Sequence, residues 1–417
     1  MQQNKTVELL APAGNFESLT AAIHSGANAV YFGVDQLNMR ARATMNFTLD
    51  DLLSIALRCH AKNVKAYLTL NTIIYDHDLS LIKTIINKAK AAGIDAVIAA
   101  DHAVIAYAAS VRMPVHISTQ ANVSNIETVK FFAPFADVIV LARELSLKQV
   151  ETICKEIKRQ NICGVSGKPI KIEVFAHGAL CMAVSGKCYL SLHSHNASAN
   201  RGACIQNCRH RYKVTDIEDD VELEIDNEYI MSSKDLKTID FLDQLLLAGV
   251  DVLKLEGRGR SPEYVSTVTA CYREAIDAVT QKTFNHEKTS QWNERLKEVY
   301  NRDFWGGYFL GKEMGEWSNT AGSQATTQKI YLGKGKHYFP KTQIAEFEIE
   351  TYQLNVGDRI LITGPTTGVY ESIITSLHVN EDGAKDIAVK GDRCAFPVDR
   401  PIRTSDKLYK IVNTTIS

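Results

Sequence analysis

Apolar residues gather in short runs through the first two thirds of the chain: Val7–Ala11, Ala29–Val34, Lys65–Asn71, Ala96–Ala100, Pro114–Thr119, Asp137–Ala142, Ile170–Ala176 and Asp251–Glu256. Between most of them the apolar spacing lengthens to the period of an amphipathic helix, as in Asp50–Ala61, Leu79–Ala92 and Ser146–Gln160. Short runs rich in β-branched residues and bounded by helical periods read as buried strands. A weak repeat marks several entries into the runs: Gly26-Ala-Asn-Ala-Val, Gly93-Ile-Asp-Ala-Val and Gly249-Val-Asp-Val-Leu. In each, the glycine suits the C-terminal end of a helix. Eight β/α units in series predict a TIM-like (β/α)8 barrel of the α/β class. An open doubly wound sheet is the alternative.

One connection breaks the rhythm. About 75 residues separate the seventh run from the eighth, and a loop this long inside a compact domain is functional or has structure of its own. It leaves the C-terminal end of the seventh strand, the end where barrel enzymes place their active sites. A long helix is expected over Ser261–Thr280 and a polar, exposed one over Phe284–Asp303. From about Lys329 the pattern changes to short alternating strands, Ile344–Thr351, Arg359–Thr363, Tyr370–Leu377, Ile387–Lys390 and Lys407–Val412, separated by turn signals such as Val356-Gly357-Asp358. The expected organisation is a barrel over 1–325 with its insertion at about 177–235, followed by a small C-terminal β-barrel module over 326–417.

The chain has 417 residues, a net charge of -1, 45% hydrophobic and 23% charged residues, values ordinary for a globular protein. The near-zero charge leaves no global nucleic-acid footprint, so any RNA contact requires a local basic patch. The N-terminus has no basic stretch followed by an apolar one, and no apolar run approaches the roughly 20 residues that span a bilayer. With nine cysteines, an odd number, these features point to a cytoplasmic chain with reduced thiols and no membrane partner. Cys59, Cys154, Cys163, Cys271 and Cys394 read as small packing residues.

Cys181, Cys188, Cys204 and Cys208 stand apart, because all four fall in the insertion. The first pair is too widely spaced to grip one centre from a helix, but Ser185-Gly186 can break the helix and fold both onto it. The second pair, at i and i+4, can share one face of a helical turn. Four thiolates meet the demand of a [4Fe–4S] cluster; zinc and unliganded structural cysteines are the rivals. Arg201, Arg209, Arg211 and Lys213 make a basic run around the second pair. It is read as RNA-binding, as neutralising a thiolate-bound cluster, or as a solvated loop.

The barrel strands carry polar residues where strands covered on both faces should be apolar. Thr69 and Asn71 share a face, as do His116 and Ser118 with Gln120 just beyond; Glu173 aligns with His177, and Lys254 with Glu256. Arg40 and Arg42 follow the second strand, Arg143 and Glu144 the sixth, and Arg258 the eighth. A polar mouth that binds a small polar molecule is one reading, and guanidinium groups there suit carboxylate or phosphate. Arg40, Arg42, Asn71, His116, Ser118, Gln120, Arg143, Glu144 and Lys254 are the candidate substrate-binding residues, and His177, Glu256 and Arg258 the candidates for catalytic work. The other reading is a self-satisfied ionic network, for example Glu173 with Lys254. The zinc-protease His-Glu-x-x-His pattern, the Gly-x-Ser-x-Gly elbow and the P-loop are absent.

The segment from Glu173 through Val-Phe-Ala-His-Gly-Ala-Leu-Cys-Met-Ala-Val-Ser-Gly-Lys-Cys to Ser191 resembles the signature of peptidase family U32. Leu10-Ala-Pro-Ala-Gly14, His116-Ile-Ser-Thr-Gln-Ala-Asn122, Arg143-Glu-Leu-Ser146, Ser233-Lys-Asp-Leu236 and Lys254-Leu-Glu-Gly-Arg258 agree with it, and Arg201-Gly-x-Cys-x-Gln-x-Cys-Arg209 also fits. Within the family, one barrel with one small terminal module resembles the tRNA uridine-hydroxylation proteins. That resemblance implies conversion of a wobble uridine of tRNA to 5-hydroxyuridine, dependent on prephenate as co-substrate and on a [4Fe–4S] cluster held by Cys181, Cys188, Cys204 and Cys208. Relatives hydroxylate a ribosomal RNA cytidine or, without oxygen, a quinone precursor. Proteolysis, the activity behind the family name, and a cluster-bearing chain that partners a homologous subunit are the alternatives.

Overall fold

The computed structural model describes residues 7–42, 46–212, 231–311, 316–319, 322–381 and 383–414. Its centre is a ring of eight parallel strands. They are β1 (Glu8–Pro12), β2 (Ala29–Phe32), β3 (Lys65–Leu70), β4 (Ala96–Ala99), β5 (Val115–Ile117), β6 (Val138–Val140), β7 (Lys171–Ala179) and, beyond a short β8 (Asp235–Lys237) in the insertion, β9 (Val252–Leu255). Neighbours pair in sequence order, and β9 closes the circle by pairing in parallel with β7 on one side and β1 on the other. The eight apolar runs are therefore the eight barrel strands, and the open-sheet alternative falls.

The outer layer is built from α1 (Phe16–His24), α2 (Leu52–His60), α3 (Leu79–Ala91), α4 (His102–Ser110), α5 (Ile126–Phe132) and α6 (Leu147–Arg159), then, past the insertion's short α7 (Leu190–His195), α8 (Leu242–Leu247), α9 (Pro262–Thr280) and α10 (His286–Glu298). Asn15, Asp101, Asn125 and Asn285 each accept a first-turn backbone N–H, and Ser146 forms a capping box with Gln149. Each such cap stabilises its helix by about 1 kcal/mol. The repeated glycines, Gly26, Gly93 and Gly249, all take positive φ just past a helix end, as the repeat predicts.

Two apolar layers result. One lies between strands and helices and runs from Val7 to Phe309. The other, formed by Leu10, Ala29, Tyr31, Tyr67, Ala96, Ile98, Val138 and Val252, fills the inside of the ring. Polar groups share that inner space: the Lys254 ammonium lies 2.8 Å from Glu173, both buried. The ionic reading of this pair is the observed one.

Strand β7 carries an irregularity that decides much of the site. Phe175 pairs with Lys254 but His177 with Leu255, so β7 holds one residue more than β9 between those points. The extra residue is a bulge, and a bulge redirects the side chains beyond it. His177 consequently leaves the face of Glu173 and packs against Tyr264 and Tyr272 of α9. Gly178 follows at φ 103°, where an added Cβ would come within 2.4 Å of the Glu256 carbonyl.

The described part of the insertion folds back over the C-terminal end of the ring. Arg201 donates to Asp78 and to the Ile73 carbonyl, the Ile73 N–H donates to Asn200, and the Arg42 N–H donates to the Gly202 carbonyl. Arg209 donates to the Leu180 and Ser233 carbonyls and to the Ser232 hydroxyl. Strand β8 then runs antiparallel to the end of β7, and β10 (Phe304–Trp305) pairs with β8.

The C-terminal module is antiparallel: β11 (Thr327–Phe339), β12 (Ile344–Ile349), β13 (Gln353–Asn355), β14 (Arg359–Gly364), β15 (Gly368–Ile373), β16 (His378–Val379), β17 (Ile387–Val389), β18 (Arg393–Pro397) and β19 (Lys407–Asn413). Seven of these form one sheet in the order β15-β14-β19-β11-β12-β18-β16, and β13 pairs with β17. They enclose a separate core in which Phe347 stacks on Phe396. Thr20 and Arg58 of the barrel helices donate to the Pro365 carbonyl, and Lys329 pairs with Glu263. Among the described residues no helix is long and apolar enough to cross a membrane.

Gly178→Ala should lower the urea midpoint by an amount equivalent to about 1–3 kcal/mol, because the strained backbone and the Glu256 carbonyl must both give. Unchanged stability would contradict the close approach of β7 to the β9 exit.

Candidate active site

Where the insertion covers the ring, it encloses a cavity of about 270 Å³. Its walls come from the C-terminal ends of strands β2, β3, β4, β5, β6, β7 and β9, which is the functional end of such barrels, and from the described part of the insertion. Cys181, Cys188, Cys204 and Cys208 all line it. Gly186 between the first pair takes φ 75°, the expected break. The second pair is not on an α-helix: Gln206 at φ 58° and a single 3-10 turn over Asn207–Arg209 intervene, yet both thiols reach the same cavity. Burial raises the Cys208 thiol above its ordinary value; Arg209 opposes this, and Cys181, Cys204 and Cys188 add to it, so the four thiols are electrostatic neighbours. Among the described residues, no three His, Cys, Asp or Glu side chains are gathered tightly enough to grip a single ion.

Opposite the cysteines lies a floor of cations. Glu256 accepts from Arg40 at 3.3 Å and from the Tyr31 hydroxyl at 3.1 Å. Burial raises the Glu256 carboxyl, but Arg40, Arg143 and Arg258 outweigh it and hold the group below the usual carboxylate range. Arg258 spans the mouth, donating to Thr69 at 2.9 Å and to Asn38 at 2.8 Å; burial brings its pKa down to about 10. Arg143 lies flat on Phe175, 3.7 Å from the ring centre, and donates to the Ala179 carbonyl, while its Nε is buried without a partner. Asn71 donates to Ser118 and Gln120, which are themselves hydrogen-bonded. Among the described residues the lining carries seven cations (Arg40, Arg143, Arg209, Lys254, Arg258, Arg260 and Arg302) and one carboxylate, Glu256. Glu173 and Asp235, paired with Lys254 and Arg302, still leave the positive groups in excess. The described lining is thus more positive than the chain as a whole, whose net charge is -1, and its chemistry suits an anion.

The expected site residues divide accordingly. Arg40, Asn71, Ser118, Gln120, Arg143, Lys254, Glu256, Arg258, Arg209 and the four cysteines meet at this cavity. Arg42 and Glu144 are exposed and lie off its lining. Arg201 is a latch between the insertion and Asp78, stacked on Tyr75, and not a cavity residue. Arg211 is exposed, and Lys213 lies outside the described residues. His116 points into the ring one layer below the mouth, edge-on to Tyr67 at 4.5 Å with its Nδ1 unpartnered. His177 faces outward because of the bulge. Burial, seconded by Lys254 for His116 and by Lys237 for His177, lowers both imidazoles to about 3. Both are neutral core histidines at neutral pH, so a catalytic role for His177 and a binding role for His116 do not follow from the geometry.

Sequence reasoning passed over Tyr31, Asn38, Arg260 and Arg302. Arg260 was within reach as the second arginine of Arg258-Gly-Arg260 after a barrel strand. Nothing local marks Arg302, which arrives from beyond α10.

Fold and site together define a closed α/β barrel with a cysteine-bearing, cationic pocket at its mouth. The model of peptidase family U32 matches residues 14–319. A collagenase of Porphyromonas gingivalis is 54% identical over 403 residues, covering 97% of each chain. A tRNA hydroxylation protein of Bacillus subtilis is 32% identical over 415 residues, covering 97% of this chain and 95% of its own length. A 23S rRNA 5-hydroxycytidine synthase of Escherichia coli is 31% identical over 377 residues, covering 83% of this chain and 54% of its own. The chain belongs to peptidase family U32.

The two buried histidines set a pH dependence. Their folded-state pKa lies below the unfolded one, so between about 6.5 and 3 the unfolded chain binds more protons and stability falls as pH falls. Each contributes roughly a kcal/mol per pH unit across that window. Urea midpoints taken from pH 7 to pH 4 should drop, and His177→Gln should drop less steeply. Equal slopes in the two proteins would contradict burial of a neutral His177.

Proposed function

We propose that this protein is an RNA-modifying enzyme that hydroxylates a wobble uridine of tRNA to 5-hydroxyuridine, with a [4Fe–4S] cluster on Cys181, Cys188, Cys204 and Cys208 and prephenate as co-substrate. The observation that carries the reading is the meeting of four thiols and an excess of guanidinium groups on one cavity. Four sulfur donors without a carboxylate or imidazole among them suit an iron–sulfur cluster, whose separate iron corners hold thiolates further apart than one metal ion does. When bound, such a cluster supplies electron transfer.

The remaining work falls to the chain's own groups. Arg40, Arg143 and Arg258 present planar donor forks to a small dicarboxylate. Glu256, held ionised by those arginines and bonded to the Tyr31 hydroxyl, is the one carboxylate of the described lining and can accept a proton from a substrate. Asn71, Ser118 and Gln120 offer an orienting polar wall. The described part of the insertion covers the site, and contacts sheltered from bulk water there are stronger than in the open. An unpaired wobble base reaches such a mouth without the opening of a duplex. The family resemblance to tRNA and rRNA hydroxylation proteins supports the same class of substrate.

The collagenase name of the Porphyromonas relative favours a second reading, peptide hydrolysis. That chemistry asks for a nucleophile beside a base. The described lining holds thiols and hydroxyls but no histidine, and this favours hydroxylation.

Nucleoside mass spectrometry on tRNA from a deletion strain tests the proposal. 5-Hydroxyuridine should disappear, return with the wild-type chain, and return at a tenth or less with Arg143→Ala. Full hydroxylation of wobble uridines without the chain would overturn it, as would loss of 5-hydroxycytidine from ribosomal RNA in its place. Collagen cleavage by the purified protein, abolished by Cys204→Ala, would favour the peptidase reading.

A further inference from the structure

The cavity has a second group of cations that the proposed carboxylate floor does not use. Arg260 leaves the β9 exit and lies on the Tyr300 ring, 3.5 Å from its centre. Among the described residues its guanidinium makes no hydrogen bond to a carboxylate or carbonyl, and it acts on the buried Asp235 carboxyl through its charge alone, so its donors are uncommitted. Arg302 stands over the same ring at 5.2 Å. Its ion pair with Asp235 is loose at 3.6 Å, longer than a charge-assisted hydrogen bond, and both Arg302 Nε and Asp235 Oδ1 are buried without partners. Burial and the charge of Arg209 pull Arg302 below the ordinary arginine value, with Arg260 adding to the effect. Two guanidinium groups are thus held near each other with one slack carboxylate beside them, and both line the cavity.

We propose that Arg260 and Arg302, carried on Tyr300, form a second oxyanion subsite that takes a phosphate group of the RNA substrate. The choice of RNA as the phosphate source rests on the function proposed above; the subsite itself rests on the geometry. Uncommitted planar forks match the oxygens of a phosphate, and a stacked guanidinium is already oriented for them. The place also fits. Arg260 sits between the last barrel strand and the N-terminus of the 19-residue α9, where the loops after the final strands of such barrels bind phosphate and a helix end adds positive potential. An arriving anion relieves the repulsion between the arginines and supplies the unpartnered donors. With the Arg40–Arg143–Arg258 floor it gives the cavity two anion sites, one for a small acid and one for a backbone phosphate beside the reacting base.

The test is binding of an unmodified anticodon stem-loop RNA to the full-length protein at several KCl concentrations. Arg260→Ala should bind about tenfold more weakly at low salt, with the slope of log affinity against log salt reduced by about 0.7 to 1, one phosphate contact. Arg260→Lys should keep the slope and recover only part of the affinity, and it carries the test if Arg260→Ala does not fold. Unchanged affinity and slope in both variants would overturn the subsite. Absence of RNA binding by the wild type would count against the proposed function, and inorganic phosphate then decides the subsite. A rise in melting temperature with phosphate that Arg260→Ala abolishes supports a site for a free phosphate ester. An equal response, or none, overturns it.

Discussion

The Lys254–Glu173 ion pair lies across the joint where the barrel closes. Lys254 is on β9 and Glu173 on β7, and the two strands pair directly. Two charges buried inside a ring of apolar side chains are tolerable only when paired, and removing one partner from such a pair costs about 3–5 kcal/mol. The pair therefore ties closure of the ring to a polar interior, and above it the mouth is free to be more polar still. Lys254 stacks over Tyr31 and Phe175; the Tyr31 hydroxyl then reaches Glu256, and Glu256 reaches Arg40. A continuous ladder of polar groups rises from the ring to the cavity, and each rung is positioned by the one beneath.

The same strand pair accounts for the division between structural and functional residues. The bulge in β7 sends His177 outward among aromatic rings and brings Gly178 against the Glu256 carbonyl, which sets how the β9 exit leaves the ring. From that exit come Glu256, Arg258 and Arg260 in alternation, toward one cavity. The insertion begins where β7 ends, so the thiols and the arginines are delivered to one place by two neighbouring strands. Arg201 and Arg209, which a reading of charge alone assigns to RNA, are the fasteners that hold the insertion on the barrel. The unbalanced positive charge lies inside.

The barrel was legible because its strands are short, apolar and regularly spaced, and because helix-ending glycines punctuate them. The insertion was legible as an irregularity of length. What escaped was set by single-residue events and long-range meetings. His177 is two residues from Phe175 and four from Glu173, a spacing that reads as one face; one extra residue in the strand reverses it. Strand β11, which is 13 residues long and pairs with both β12 and β19, is rich in Lys and Gly and has no clear alternation. Gly333 is there because a Cβ would meet the Glu348 carbonyl at 1.8 Å, a constraint that exists only once β12 is in place. Arg302 joins Arg260 through Tyr300 after two intervening helices. Where side chains are functional because distant segments converge, the local pattern carries little of the signal.

In the proposed function, Cys181, Cys188, Cys204 and Cys208 serve one electron-transfer centre beside the cationic pocket. Iron and acid-labile sulfide content, with a visible absorption spectrum, on protein purified without oxygen tests it most directly, comparing wild type with Cys204→Ala/Cys208→Ala. About four irons and four sulfides per chain are expected, lost in the double variant while the fold persists. Stoichiometric zinc, or wild-type protein without iron after anaerobic purification and iron–sulfur reconstitution, would contradict it.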